Sequence, residues 1–358
     1  MTTPEHNLAA RGYRFPGEFE PHEATWLSWP HNPATWPGKL ERIIPVYAEF
    51  AAFISRDETV HINVSDSDME DFARTHILKK GGVDDQVFFH HFPTNDAWCR
   101  DHGPCVLVLN NELHPNMAST ASRVILNWDY NAWGGKYPPY DRDQKIPALV
   151  AKYLGVEEYK PGIVMEGGAI ETNGRGVIMT TTSCLLNPNR NPELSQAEIE
   201  SYLTHYYGAE QIWWLGDGIE GDDTDGHIDD MTRFVSPKTI VSVLEDNTSD
   251  ANYVPLQKNW ERLQSFRFQD GSSPEIIALP MPAPIYYVGQ RLPASYANFY
   301  ITNHSVLVPI FSDNNDAKAL GILQELFPTR KVIGIESTDL IWGLGAFHCL
   351  SQQIPKAQ

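Results

Sequence analysis

A repeated order of elements constrains this chain more than any single residue does. From Glu166 onward a polar loop, a β-hairpin, a helix and a strand follow one another, and each such strand leads into the next polar loop. Glu166-Gly167-Gly168 precedes a predicted hairpin over Ala169–Ser183 that turns at Asn173-Gly174. The spacing then predicts a helix over Ser195–Tyr207 and a strand over Gln211–Leu215. A second hairpin joins two β-prone runs, Met231–Val235 and Thr239–Leu244, across Ser236-Pro237-Lys238. Helix Val254–Phe266 and strand Glu275–Leu279 follow. A third hairpin spans Phe299–Phe311 about Asn303-His304, before helix Asp316–Phe327 and strand Lys331–Glu336. The last polar loop, Gly343–Cys349, is left with one strand, Leu350–Ile354.

The other end of the chain is short in a complementary way. It opens on a solitary strand, Thr25–Trp29, followed by helix Leu40–Arg56, whose Ile43, Ile44, Tyr47, Phe50, Ala51 and Ile54 fall at helical spacing, and by strand Thr59–Val64. A helix and strand over Ser67–Lys80 and Gln86–His90 read as an addition, and Cys105–Leu109 resumes as strand after the polar run Asn95–Pro104. Pairing the last strand with the first completes a unit and closes a ring of about five units. The expected class is therefore α/β, with residues 1–358 in one domain and 1–15 loosely ordered. No linker or low-complexity stretch divides it.

Composition narrows the function. A net charge of −19 argues against nucleic acid, since nothing would neutralise a phosphate backbone. Four scattered cysteines (Cys99, Cys105, Cys184, Cys349) do not make a disulfide framework, so a reducing cytoplasm is expected. Met1–Ala10 lacks an apolar core and no run is long enough for a membrane span.

The densest polar feature is Gly221–Arg233, with Asp222, Asp223, Asp225, Asp229, Asp230 and His227 crowded beside a hairpin. A solvated acidic loop is one reading; a site for a cation is the other. If the ring closes, the polar loops meet on its axis and bring together Arg100 and Asp101, Glu166, His227 with Asp229, and His348 with Cys349, an inventory for nucleophilic catalysis. Singly, each has a plain alternative: Cys349 as a small buried hydrophobe, Glu166-Gly167-Gly168 as a turn, Asp101 paired with Arg100. Metal motifs fail: a calcium loop started at Gly221 has glycine at its first position and Thr232 at its twelfth, and neither H-E-x-x-H nor C-x-x-C occurs.

The segments NDAWCRDHGP, MEGG, TDGHIDDMTRF and GLGAFHCLSQQIP resemble, in order and spacing, those of the agmatine deiminases and related bacterial peptidyl-arginine deiminases of the guanidino-group modifying superfamily. The likeness runs from Pro16 to Pro355. It implies the pseudo-five-fold α/β propeller, or pentein fold, a closed ring with its N- and C-terminal strands in one blade. It implies Cys349 as nucleophile, His227 as general acid-base, Asp101 and Asp229 as guanidinium-binding carboxylates, Glu166 as the glutamate that meets the histidine, and Trp98 as a pocket wall. The implied reaction is hydrolysis of agmatine to N-carbamoylputrescine and ammonia through a cysteine thiouronium, within polyamine metabolism. Neither metal nor organic cofactor is expected. The expected partner is a small cationic guanidino compound, without nucleic acid or membrane; a homo-oligomer is left open.

A planar, delocalised guanidinium must be held still and kept protonated, which paired carboxylates achieve. The same carboxylates raise a neighbouring thiol's pKa, and a bound guanidinium lowers it again. Leu344 and Ala346 stand where many agmatine deiminases have glycine and asparagine, so the substrate's tail could be read differently. Asp222, Asp223 and Asp225 are candidates for the ammonium pole that agmatine needs. Deimination of peptidyl-arginine or free arginine is the runner-up. A different class is a carbohydrate-binding propeller stacking sugars on Trp36, Trp128 and Trp133.

Overall fold

The computed structural model describes residues 7–110 and 122–357. The strands form five sheets of three or four strands and one two-stranded ribbon, Tyr286–Tyr287 with Gln290–Arg291. Three of the sheets are built alike. In each, a short strand pairs antiparallel with a longer one, a helical crossover follows, and a third strand returns parallel on the other side. These are Glu171–Thr172, Val177–Thr181 and Gln211–Leu215; Thr232–Phe234, Thr239–Leu244 and Glu275–Pro280; and Tyr300–Ile301, Ser305–Ile310 and Lys331–Glu336. A fourth sheet follows the same scheme with Cys105–Leu109, Arg123–Leu126 and Glu157–Tyr159, and gains Tyr13–Arg14 at its edge.

The remaining sheet joins the two ends of the chain. Ser351–Pro355 pairs antiparallel with His22–Ser28, Gln353 opposite Thr25, and Thr59–Asn63 and Val87–His90 add in parallel. The solitary terminal strands therefore complete one another, and Val87–His90 is the added strand the element order marked.

Local chemistry explains why the helices start and face as they do. Leu40–Asp57 turns Ile43, Ile44, Tyr47, Phe50, Ala51 and Ile54 into the core, the stripe its spacing predicts. Asp66 caps Ser67–Lys79 by accepting the amide of Met69 at 3.0 Å. Helix Gln196–Tyr202 opens on a capping box, Ser195 with Glu198, and its final turn over Leu203–Tyr207 widens before Gly208, in left-handed geometry, stops it. Strand Arg123–Leu126 and helix Ile146–Leu154 lie in a region where the element order predicted nothing.

The N-terminal expectation needs correction. Residues 1–6 lie outside the described residues, but 7–15 are packed: Leu8 and Tyr13 are buried and Tyr13–Arg14 is hydrogen-bonded to Val108–Leu109. The apolar side chains of this segment have a sheet edge to cover, and burying them outweighs the entropy of leaving it loose. Among the described residues, no helix is long and apolar enough to cross a membrane.

Candidate active site

In all five sheets, the loop that enters the strand nearest the hairpin's start carries the polar residues. Asp101 lies in the turn Cys99–His102 ahead of Cys105–Leu109, and Glu166 ahead of Glu171–Thr172. His227, Asp229 and Asp230 precede Thr232–Phe234, Asn298 precedes Tyr300–Ile301, and His348 with Cys349 precede Ser351–Pro355. Equivalent loops of equivalent units converge, so residues remote in sequence share one buried site.

The contacts are direct. The sulfur of Cys349 lies 3.5 Å from Asp229 Oδ2 and 2.9 Å from Asn298 Nδ2. Asn298 also donates to Asp230 Oδ1 at 2.9 Å, and its carbonyl accepts the amides of His348 and Cys349 at 3.1 and 3.3 Å. One amide side chain thus fixes both the sulfur and the backbone that carries it. Arg100 closes the join from another unit, its backbone N–H donating to the Cys349 carbonyl at 3.0 Å.

Asp101 accepts the Gly168 amide at 2.9 Å on Oδ1 and the Trp133 indole N–H at 2.9 Å on Oδ2. Its Oδ1 is 3.8 Å from His227 Nδ1. Gly168 is the point where the loops touch: a Cβ there would sit 2.5 Å from His227 Nδ1, 2.9 Å from Asp101 Oδ1 and 3.1 Å from Asp229 Oδ2. Only glycine permits that approach. The Glu166-Gly167-Gly168 stretch is therefore a turn, and one shaped by the site.

Two carboxylates are oriented from behind. Asp229 Oδ2 receives His348 Nδ1 at 2.6 Å, and His348 Nε2 meets Glu18 Oε2 at 2.8 Å. Glu18 in turn holds Arg100 and Arg233, each at 2.9 Å. Arg100 thus pairs with Glu18, not with its neighbour Asp101. Glu166 Oε1 accepts Arg190 Nε at 2.5 Å, while its Oε2 has no hydrogen-bond partner. His227 is fully buried and neither ring nitrogen is hydrogen-bonded.

The electrostatics follow from burial and these neighbours. Burial pushes the Cys349 thiol well above its usual range, and Asp229, Asp230 and Asp101 push it further. Burial alone would lower His227, but Asp101, Cys184 and Glu166 outweigh it and hold the imidazole well above its ordinary value. Asp101 is raised, by burial and then by Asp229 and Glu166 against the pull of His227. Burial opposes ionisation of Asp229 too, yet the His348 hydrogen bond and charge bring its pKa down. The two guanidinium-binding candidates are thus electrostatically unlike.

The rest of the aspartate-rich loop is structural. Asp222 accepts the amides of Thr224, Gly226 and His227 at 2.8, 2.9 and 3.0 Å, bending the chain so that His227 points inward. Asp225 pairs with Arg190 at 2.7 Å and Lys136 at 2.9 Å, and Asp223 with Lys136 at 3.4 Å. Lys136 and Arg190 relieve the repulsion at Asp223 and Asp225, and Asp222 is engaged by backbone amides, so the three carboxylates suggested as an ammonium pole are already partnered.

Trp98 stands beside Cys349, since a Cβ on Gly345 would lie 2.6 Å from the Trp98 ring and 3.1 Å from Cys349 Cβ. Trp36, Trp128 and Trp133 are buried, which removes the stacking platforms a sugar would need. Cys99 and Cys105 are buried thiols pushed up to about 12. Sequence reasoning missed Asn298, Glu18, Trp133 and Arg190. Asn298 could have been found by asking what the fifth unit's loop contributes.

A cysteine, an imidazole and several carboxylates, carried by equivalent loops of five sheets, meet in one buried site. A family model described as Porphyromonas-type peptidyl-arginine deiminase matches residues 14–355, and the chain belongs to that family. A Legionella pneumophila protein whose name provisionally assigns it as an agmatine deiminase is 37% identical over 355 residues, 98% of each chain. The agmatine deiminase of Enterococcus faecalis superposes with a TM-score of 0.88 at 30% identity, covering 98% of this chain and 97% of that one. A Cys-to-Ser form of C. jejuni agmatine deiminase, solved with substrate bound, gives 0.84 at 32% identity over 96% and 97%.

Proposed function

We propose that the protein is a hydrolase of the C–N bonds of amidines that converts agmatine to N-carbamoylputrescine and ammonia. The observation that carries this reading is the proximity of the Cys349 sulfur to Asp229, with Asp101, Asp229 and His227 meeting about Gly168. Asp101 and Asp229 fork the guanidinium and keep it planar and charged. Its arrival offsets the carboxylates that hold the Cys349 thiol protonated, so the thiolate forms where it is needed and adds to the guanidinium carbon. The tetrahedral adduct breaks its bond to one amino group as His227 donates a proton to it, and ammonia leaves. The S–C thiouronium remains; water, giving its proton to His227, adds to the carbon, and the S–C bond breaks to release the ureido product and the thiol. Glu166 faces His227 and favours its protonated form.

The tail preference rests on charge. Around the site, Arg100, Arg190, Arg233 and Lys136 are all committed to carboxylates, which favours a substrate without a carboxylate over free arginine. The named relatives point the same way, since the E. faecalis and C. jejuni structures are agmatine deiminases. The five sheets are read as blades of one closed ring, residues 1–358 forming a single catalytic domain whose terminal strands share a blade. Four free, buried cysteines suit a reducing cytoplasm. A colorimetric ureido assay on agmatine, free arginine and a peptidyl-arginine side by side is expected to give product from agmatine foremost, and none from the Cys349→Ala variant. Turnover by Cys349→Ala, or release of urea in place of ammonia, overturns the reading.

A further inference from the structure

Cys184 takes no part in the reaction above, yet it completes a second cluster. Glu166, Cys184 and His227 are fully buried and offer ligating atoms that lie within 4.8 Å of one another. Cys184 sits in the short turn Thr182–Leu185 and is a free thiol. Glu166 Oε2 has no hydrogen-bond partner, and His227 meets the Cys184 thiol without a well-formed hydrogen bond at either ring nitrogen, although burying such atoms unsatisfied is costly. These open valences point to a ligand that the cluster can accept.

We propose that Glu166, Cys184 and His227 form an inhibitory site for a divalent cation of the zinc class. One carboxylate oxygen, one imidazole nitrogen and one thiolate form the mixed donor set that such an ion selects over calcium or magnesium. Zinc bond lengths place tetrahedral ligands roughly 3.3–3.7 Å apart, so the three atoms close about an ion with shifts of about 1 Å. The fourth position is left for water. Binding expels the Cys184 thiol proton and any proton on the ligating nitrogen of His227. Arg190, paired with Glu166 through Oε1, opposes the ion, whereas Asp101 beside His227 favours it. The second cluster of potential ligands, Asp229, Asp230 and Cys349, is different in kind: Asn298 and His348 already hold the Cys349 sulfur, Asp230 Oδ1 and Asp229 Oδ2, although Asp229 Oδ1 has no partner.

Inhibition rests on the reading of His227 as the group that moves the proton, because the ion takes the imidazole lone pair that this step requires. The binding itself does not depend on that reading. All three ligands lack solvent exposure, and on the deiminase reading a guanidine compound bound beside His227 is expected to slow the ion's entry.

The test uses cobalt(II) as the probe on the full-length protein, since a cobalt–thiolate bond gives a charge-transfer absorption that needs no turnover. The band is expected in the wild type and in Cys349→Ala, and absent from both Cys184→Ala and Cys184→Ser; zinc should bleach it. In the ureido assay, the zinc concentration that halves activity should rise roughly tenfold or more in Cys184→Ser. A band that survives in the Cys184 variants but vanishes in Cys349→Ala would place the metal on the nucleophile and overturn the proposal. So would the absence of any band from the wild type. Bands in the expected pattern without agmatine turnover would leave the metal site standing and defeat the deiminase reading instead.

Discussion

Two histidines act on the same buried carboxylate, Asp229, and are held in opposite ways. Both ring nitrogens of His348 meet carboxylates, Asp229 at 2.6 Å and Glu18 at 2.8 Å. Neither nitrogen of His227 has a hydrogen-bond partner. An imidazole bonded at both nitrogens is fixed in one orientation; one left unsatisfied costs stability but is free to meet another group. On the proposed mechanism, the difference teaches that chemistry belongs to the group left incomplete, and orientation to the group with both nitrogens engaged. His348 is adjacent to Cys349, the proposed nucleophile, in sequence, so proximity alone would have chosen it.

Exchanging each histidine should separate the two roles. His227→Asn is expected to lower kcat by roughly 100-fold to 10,000-fold, the range of a lost general acid-base group, with the smaller loss of thermal stability of the two variants. His348→Asn strands two buried carboxylates, one of which also holds Arg100 and Arg233. Removing one partner of such a pair costs about 3–5 kcal/mol, read as a fall in the denaturant midpoint. The comparison fails if His348→Asn keeps full stability, or if His227→Asn loses as much stability as His348→Asn does.

A third environment sharpens the contrast. His61 and His90 are buried against Trp26, ring centroids 4.6 and 4.8 Å away, and hydrogen-bond to each other at 2.9 Å. Burial lowers His61 to about 3, helped by His90, and His90 to about 4 against the weak pull of Glu70. Burial thus leaves these rings neutral, whereas carboxylates overcome burial at His227. The folded pKa values lie below the unfolded value near 6.5, so the stabilisation is complete above about pH 6.5 and is lost as pH falls towards 4 and then 3. Thermal midpoints should decline across that window, and His61→Gln/His90→Gln should remove most of the slope. An unchanged slope would show that other groups carry it.

How much of this was legible in the sequence depended on whether the signal was local. The hairpins after Glu166 announce themselves by β-prone runs about turn residues, and Leu40–Asp57 by its stripe, so unit order survived almost intact. Arg123–Leu126 went unread because the stretch between it and its antiparallel partner Cys105–Leu109 is too long to carry a hairpin signal. In the site, titratable residues stood out and Asn298 did not, since an uncharged amide before a β-prone run has no compositional mark. Glu18 is harder still: its partners Arg100, Arg233 and His348 come from three other segments, and nothing around it in the sequence refers to them. The deep acid run misled in one respect, because the cations that neutralise it, Lys136 and Arg190, lie far upstream.

Leu344 is where the smallest effect is expected. It follows the turn Leu340–Gly343 with φ of 71°, donates its amide to Ile341 at 2.9 Å, and occupies a left-handed conformation that a branched side chain enters at a cost of about 1–2 kcal/mol. Its side chain recovers part of this by packing on the core around Ile341 and Ala346. In Leu344→Gly the conformational cost disappears, but so does that packing, and glycine adds about 0.5–1 kcal/mol of chain entropy to the unfolded state. The three contributions nearly cancel, so stability should change by no more than about 1 kcal/mol. The next residue, Gly345, is pressed between Trp98 and Cys349, so a looser residue 344 should act on substrate placement before it acts on chemistry. Steady-state kinetics on agmatine should accordingly show a raised KM with kcat little altered; a fall in kcat with KM unchanged would mean that Leu344 positions the nucleophile itself, and the division between residues that orient and residues that react would have to be redrawn to include it.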